Sequence, residues 1–215
     1  KIQVQSDGGL IVAIISNAVT IADAGAFSVG LGSMTLIKTV TASSSATVNF
    51  VHGASSVVLN DTYPIYVFKL TDIHVANNDA HFTVNFSIDS GSNYNVTKTT
   101  AYFRAQGSEN GSGSNVSYND LDQAQGTGYT GLSDSLMNAN DASSSGEMYL
   151  FNPASTTFVK HFLGRFNAMG HANFAGTGYS AGYINTTSAV NGVSFKHSSG
   201  NIDSGTFKLY GIKDS

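Results

Sequence analysis

The closing stretch of the chain constrains the fold most strongly. Residues 193–196 and 207–210 alternate apolar and polar side chains, and the connection 198–205 is rich in Ser, Gly, Asn and Asp. A period of two places successive side chains on opposite faces of a strand. The pattern therefore predicts two strands paired as a hairpin through a turn, with Phe195 and Phe207 facing a core.

The same alternation recurs from Met34 onward, most cleanly in Ala80–Asp89. Residues 34–41 and 46–51 flank a run of serines and are expected to form another hairpin. Further strands are expected at residues 64–75, 94–104, 146–153, 157–167 and 179–190. No stretch sustains the apolar spacing of a helix. The prediction is an all-β fold, an antiparallel β-sandwich or jelly roll.

Residues 1–33 differ from the rest, because short apolar pieces alternate with Gly-containing turns and show little polar alternation. Such pieces favour packing against copies of themselves, so we expect residues 1–33 to be an N-terminal stalk, attachment or oligomerisation segment ahead of a domain at 34–215. Edge strands and loops of the main domain are the alternative. The expected oligomer contacts are Leu10, Ile11, Val12, Ile14, Ile15, Val19 and Ile21.

Composition limits the possible partners. Charged residues make up only 11% of the chain and the formal net charge is −4, while Ser, Thr, Asn and Gly are abundant. A polar but weakly charged surface is typical of extracellular adhesins and virion proteins. The charge argues against a nucleic-acid partner. The apolar run Leu10–Ile15 is too short to span a bilayer, so no membrane insertion is expected. With no cysteine, the fold uses neither disulfides nor thiolate metal sites.

The sequence contains no pattern typical of catalysis. No Gly-x-Ser-x-Gly, phosphate-binding loop or His-Glu-x-x-His occurs, and Asp120 and Asp122 lack the remaining residues of an EF-hand. No two histidines are spaced to share one face of a strand or helix, although His74 and His81 could meet across a hairpin. We therefore expect no enzyme, no metal and no cofactor. The six histidines are His52, His74, His81, His161, His171 and His197.

Tyrosine suggests a recognition surface. Tyr118, Tyr129, Tyr179 and Tyr183 lie in or beside segments rich in Gly, Ser and Asn. Tyrosine among small polar residues gives rigid contact area with adaptable hydrogen bonds, a composition suited to binding sugars or proteins. The alternative is that these tyrosines border strands and pack at subunit contacts.

Several blocks of the chain resemble a family of virion structural proteins from marine bacteriophages. The blocks are residues 39–50, 122–127, 150–162, 181–187 and 198–212. The resemblance runs from about Met34 to the end and implies a C-terminal β-domain behind a variable attachment region. It supplies no catalytic or ligand residues.

The resemblance implies an extracellular, virion-borne appendage, a fibre or decoration on the tail or capsid, acting in host adsorption or shell stabilisation. The expected partners are further copies in a homotrimer, other virion proteins and a host cell-surface glycan or protein. Two other functions stay open: a carbohydrate-binding β-sandwich module of a secreted or cell-surface protein, and a polysaccharide depolymerase. The latter would need a carboxylate pair about 5–10 Å apart in a groove.

Overall fold

The structure is a computed structural model that describes residues 34–213 in full and, before them, only the backbone of four short strands. The chain divides into two compact units, Lys1–Thr35 and Leu36–Asp214. In the first unit, four strands form an antiparallel sheet in the order β1-β2-β3-β4. They are β1 (Ile2–Ser6), β2 (Ile11–Ser16), β3 (Val19–Asp23) and β4 (Ala26–Phe27).

The second unit contains twelve strands and, among the described residues, no helix. The strands are β5 (Met34–Ser45), β6 (Val48–Val51), β7 (Ile65–Val75), β8 (Ala80–Ser87), β9 (Lys98–Ser108), β10 (Ser114–Tyr118), β11 (Thr130–Leu136), β12 (Ser144–Phe151), β13 (Lys160–Gly170), β14 (Phe174–Ile184), β15 (Gly192–His197) and β16 (Ile202–Ile212). The all-β, antiparallel prediction is confirmed.

The twelve strands form two facing layers. The long sheet has the order β5-β16-β7-β12-β13-β14-β9-β10, and the short sheet has the order β11-β8-β15-β6. The two sheets are linked where β11 meets β13: Leu136 pairs with Gly170, and the main-chain N–H groups of Met137 and His171 donate to Met169 and Ser135. Every strand pair for which a register is described in this unit is antiparallel. The fold is therefore a sandwich-like, nearly closed sheet.

Aromatic side chains from both sheets fill the space between the layers. Phe50 of the short sheet lies 5.3 Å from Phe68 of the long sheet, and Phe86 lies 5.4 Å from Phe162, measured between ring centroids. All four side chains are buried. Because burying one phenylalanine side chain contributes about 1.5–3 kcal/mol, this layer dominates the stability of the domain.

The predicted terminal hairpin is wrong in its pairing. Phe195 and Phe207 are buried as expected, with ring centroids 5.7 Å apart. However, β15 pairs with β8 and β6, whereas β16 pairs with β7 and β5. The chain crosses from one sheet to the other, so the two phenylalanines face each other across the core. Alternation alone cannot separate this arch from a hairpin, because both place the same residues inside.

The hairpin predicted for residues 34–41 and 46–51 fails in the same way, because β5 pairs with β16 and β6 pairs with β15. The β7 and β8 strands also lie in different sheets, so the proposed hairpin that would bring His74 and His81 together does not form. True antiparallel hairpins are found at β9–β10, β12–β13 and β13–β14. These three build the part of the long sheet that carries the candidate site.

Candidate recognition face

The long sheet has a clean inner and outer side near β13. Residues of β13 alternate between buried and exposed along nearly its whole length, so Phe162 and Phe166 enter the core while Leu163 and Arg165 point outward. Side chains directly opposite each other on antiparallel strands share a face. The strand register therefore identifies which residues of the neighbouring strands point outward. We call the surface that they form the outer face.

One row of side chains crosses the outer face from β10 to β7. The paired residues, in order, are Tyr118, Phe103, Tyr179, Arg165, Glu147 and Lys69. Strand pairing alone thus makes neighbours of residues up to 78 positions apart in the chain, as Lys69 and Glu147 are.

The middle of this row is a stack. The rings of Phe103 and Tyr179 are nearly parallel, with an interplanar angle of 10° and centroids 4.9 Å apart. The guanidinium of Arg165 lies 5.6 Å from the Tyr179 centroid, within cation–π range. Phe103 keeps 43% of its surface exposed. The rings are therefore held rigidly while still reaching solvent.

The charged end of the row is paired. Lys69 Nζ lies 3.1 Å from Glu147 Oε2, and this hydrogen bond raises the pKa of Lys69. Both side chains are more than a third exposed, so water screens the pair and its contribution to stability is small.

Two further rows complete the outer face. The first contains Ala101, Ala181, Leu163, Tyr149 and Val67, and the second contains Thr99, Tyr183, His161, Phe151 and Ile65. Leu163 is 46% exposed, and Ala101 and Ala181 are exposed. Val67, at the β7 end of the first row, is buried, so the most exposed apolar part of the face lies on β9, β14 and β13. An exposed apolar patch of this kind is typical of interaction sites.

Three of the four tyrosines expected to form a recognition surface lie on the outer face: Tyr118, Tyr179 and Tyr183. The Tyr118 hydroxyl donates to Asp122 Oδ2 at 2.6 Å, and this bond raises the pKa of Tyr118. The Tyr183 hydroxyl accepts a hydrogen bond from Gln125 Nε2 at 3.2 Å.

Tyr129 is separate from the other three tyrosines. Its hydroxyl lies 2.9 Å from Ser194 Oγ on the short sheet, and Lys196 Nζ lies 4.3 Å from its ring centroid. Together with Asp120 and His81, Tyr129 and Lys196 line a cleft of about 400 Å³ between the 119–129 loop and the short sheet.

A buried ionic cluster shares one residue, His81, with the lining of that cleft. Asp134, whose side chain is 5% exposed, accepts from Arg104 at 2.6 Å and from Asn119 at 2.7 Å, and its Oδ1 lies 2.8 Å from His81 Nδ1. Burial alone would raise the pKa of Asp134, but the hydrogen bond with His81 and the charge of Arg104 outweigh burial and lower it. The cluster fixes β8, β9 and β11 relative to one another.

The other polar groups of residues 34–213 form no comparable site. Asp72, His74, Asp141 and Asp203 line an open pocket, in which His74 Nδ1 lies 3.3 Å from Asp203 Oδ2. Within residues 34–213 and the four short strands, no group of three acidic or histidine side chains is arranged to hold a metal ion.

The predicted oligomer contacts fall outside the described side chains. Leu10 is not described, and Ile11, Val12, Ile14, Ile15, Val19 and Ile21 lie on β2 and β3, for which the structure gives the backbone alone. The expectation that they join subunits stays a prediction.

Sequence reasoning missed Phe103, Arg165 and Gln125, which now belong to the face. Phe103 lies in the strand predicted at 94–104, but alternation did not show whether Phe103 or the neighbouring Tyr102 faces the core. Tyr102 is buried and Phe103 is exposed. No feature of the sequence pointed to Gln125 as a site residue, because its position depends on the path of an irregular loop.

No helix among the described residues has the length and apolar character needed to cross a membrane. No family model, curated protein or solved structure matches this chain.

Proposed function

We propose that this chain is a non-enzymatic structural protein of a bacteriophage virion, an oligomeric appendage on the tail or capsid. In this role it forms a fibre or decoration and acts in host adsorption or shell stabilisation. The observation that carries the proposal is the outer face, where aromatic and aliphatic groups of six neighbouring strands point away from the core. The resemblance of five sequence blocks to virion proteins supports the same assignment.

A contact role suits the way this face is built. Apart from Tyr118 on the edge strand β10, its side chains stand on strands that are paired on both sides, so little conformational freedom is lost when a partner binds. Tyr179 is further held between Phe103 and Arg165. Many identical copies on one particle would convert weak single contacts into strong attachment, because later contacts form at high effective concentration.

Assembly is assigned to the N-terminal unit. Its four short strands form a separate sheet, and their sequence is apolar with few charges. In this proposal a homotrimer is joined through this unit and is bound to other virion proteins. Localisation in the virion follows from the same proposal.

A second candidate is a carbohydrate-binding module of a secreted or cell-surface protein. It is favoured by the exposure of Phe103 and Tyr118, at 43% and 61%, on one face of a single chain. This candidate needs no oligomer and no particle, so the two candidates differ in where the protein is found.

Labelling of purified particles tests the first candidate. Antibodies raised against residues 34–215 should label a fixed position on the tail or capsid in electron micrographs, and mass spectrometry of the particles should detect the chain. Antibodies against an abundant host protein provide the control. Recovery of the chain only from the host surface or medium, with unlabelled particles, would contradict the virion proposal and support the second candidate.

A further inference from the structure

We propose that a shallow trough on the outer face binds a chain of uncharged hexose units through its rings and amides. The inference rests on the proposed contact role of this face and names the class of its ligand. The trough crosses β9 and β14 and is defined by Ala101, Ala181, Phe103, Tyr179 and Tyr183.

The trough follows from side-chain size and register. Ala101 and Ala181 are directly paired, exposed and small, so they form a low floor. The stacked Phe103 and Tyr179 stand on one side of this floor, and Tyr183 stands on the other. Residues 179 and 183 are four positions apart on one strand, which separates the two banks by about 13 Å. Leu163 on β13 limits the trough at its far end.

A fixed set of hydrogen-bonding groups lies at the Tyr183 bank. Gln125 Nε2 donates to Thr99 Oγ1 at 2.6 Å and to the Tyr183 hydroxyl at 3.2 Å, while its Oε1 accepts from Asn185 Nδ2 at 2.8 Å. Gln125 also has a φ of +54°, a backbone conformation that costs free energy for a residue other than glycine. Backbone strain of this kind is often found at binding sites.

The charge of the trough matches an uncharged ligand. Its floor, its ring banks and its amide and hydroxyl groups carry no formal charge. Of the nearby charges, Lys69 is paired with Glu147, whereas Arg165 lies against Tyr179 and keeps its positive charge. Asp122 accepts the Tyr118 hydroxyl hydrogen. The single guanidinium of Arg165 offers a polyanion little to pair with. A polyhydroxylated neutral chain finds rings for its C–H faces and, for its hydroxyls, the Tyr183 hydroxyl hydrogen and the remaining lone pair of Gln125 Oε1.

Binding of the full-length chain to a printed array of neutral gluco-, galacto- and manno-oligosaccharides, with sulfated counterparts, tests the inference. We expect binding to neutral members that is insensitive to salt, since no ion pairs are involved. Affinities for the best array member are then measured by calorimetry. Binding to sulfated chains alone, or to no neutral chain, would overturn the proposal.

Matched variants locate the site. Ala181→Trp fills the trough without removing a ring and should weaken binding at least about tenfold, whereas Ala175→Trp, on the same strand and face but outside the trough, should not. Tyr179→Ala removes a bank and should weaken binding by a similar factor, compared with Phe158→Ala at an exposed ring elsewhere. Equal effects of the two tryptophans would contradict the location.

The outcomes separate this inference from the proposed function. A particle-bound protein that binds no neutral glycan overturns the glycan inference and leaves the virion role standing. If Ala181→Trp instead lowers the mass of the oligomer, the face is a contact between copies and the glycan inference fails. Glycan binding by a protein absent from particles supports the inference and overturns the virion role.

Discussion

His197 makes the stability of the domain depend on pH in a way that the structure specifies. The side chain is 3% exposed in the core beside Phe82, and neither ring nitrogen has a hydrogen-bond partner among the described residues. Burial lowers the pKa of His197 from 6.5 to about 4, although the nearby main-chain groups of His81 and His74 partly oppose this. The folded protein therefore holds a neutral imidazole at pH values where the unfolded chain is protonated.

The direction and size of this pH effect on stability follow from the difference between the folded and unfolded pKa of His197. Because the folded pKa is the lower one, the stabilisation is fully present above pH 6.5 and is lost as the pH falls from 6.5 through about 4. Each pKa unit corresponds to about 1.4 kcal/mol, so this gap amounts to about 3 kcal/mol. That is a large part of the stability of a typical domain.

Urea unfolding, followed by circular dichroism between pH 7.5 and pH 4, measures this effect. Comparing the native protein with His197→Leu cancels the titration of the carboxylates, which is common to both. The free energy of unfolding of the native protein should fall by about 3 kcal/mol more than that of the variant over this range. Parallel curves for the two proteins would refute the assignment.

Three further perturbations test the packing of the domain. Lys98 is buried, and burial lowers its pKa from 10.5 to about 8. The free energy of unfolding should therefore rise as the pH increases from about 8 to 10.5, and Lys98→Met should abolish this rise. A Cβ at Gly178 would lie 2.5 Å from a buried tyrosine hydroxyl, so Gly178→Ala should lower the melting temperature and cost about 1–3 kcal/mol, while Gly107→Ala, with open space around it, should cost little. Asp134→Asn breaks a buried ion pair and should cost about 3–5 kcal/mol in chemical unfolding, whereas Glu147→Gln, at an exposed pair, should cost less than about 1 kcal/mol. Equal costs within either matched pair would contradict the packing described.

The sequence predicted the class of fold and most strands because alternation reports which residues are buried. It failed at β14, predicted at residues 179–190 but running from Phe174 to Ile184. Gly176 and Gly178 look like turn residues, yet both lie within the strand and face inward. A Cβ at Gly178 would lie 2.5 Å from the Tyr102 hydroxyl and 2.9 Å from the main-chain oxygen of Leu132 in the short sheet, so this glycine permits the two layers to approach closely.

Strand partners could not be predicted, because pairing depends on where the chain crosses between sheets. The alternation of β15 and β16 is the same whether they pair or face each other, and only the finished sandwich decides. The candidate site could not be predicted in full for the same reason. Tyr179 and Tyr183 could be proposed from composition, but their alignment with Phe103 and Gln125 requires the register of β9 with β14 and the path of the 119–129 loop.

The sequence pattern also did not predict that two lysines are buried. Lys98 and Lys160 are paired with the same residue, Ile184, from opposite sides, and both point into the domain. Their amino groups donate to main-chain carbonyls of nearby loops, at 2.7 Å to Gly128 and 2.6 Å to Ser188. A lysine in an alternating strand is normally expected to face water, so this arrangement depends on loops that fold back over the end of the sheet.

The mass of the protein in solution, measured by light scattering with and without residues 1–33, tests the central claim most directly. The shortened chain keeps every core residue from Ala42 to Leu209 and should remain folded. We predict a trimer for the full-length chain that dissociates when residues 1–33 are removed. A monomer in both forms would contradict an appendage assembled through its N-terminal unit.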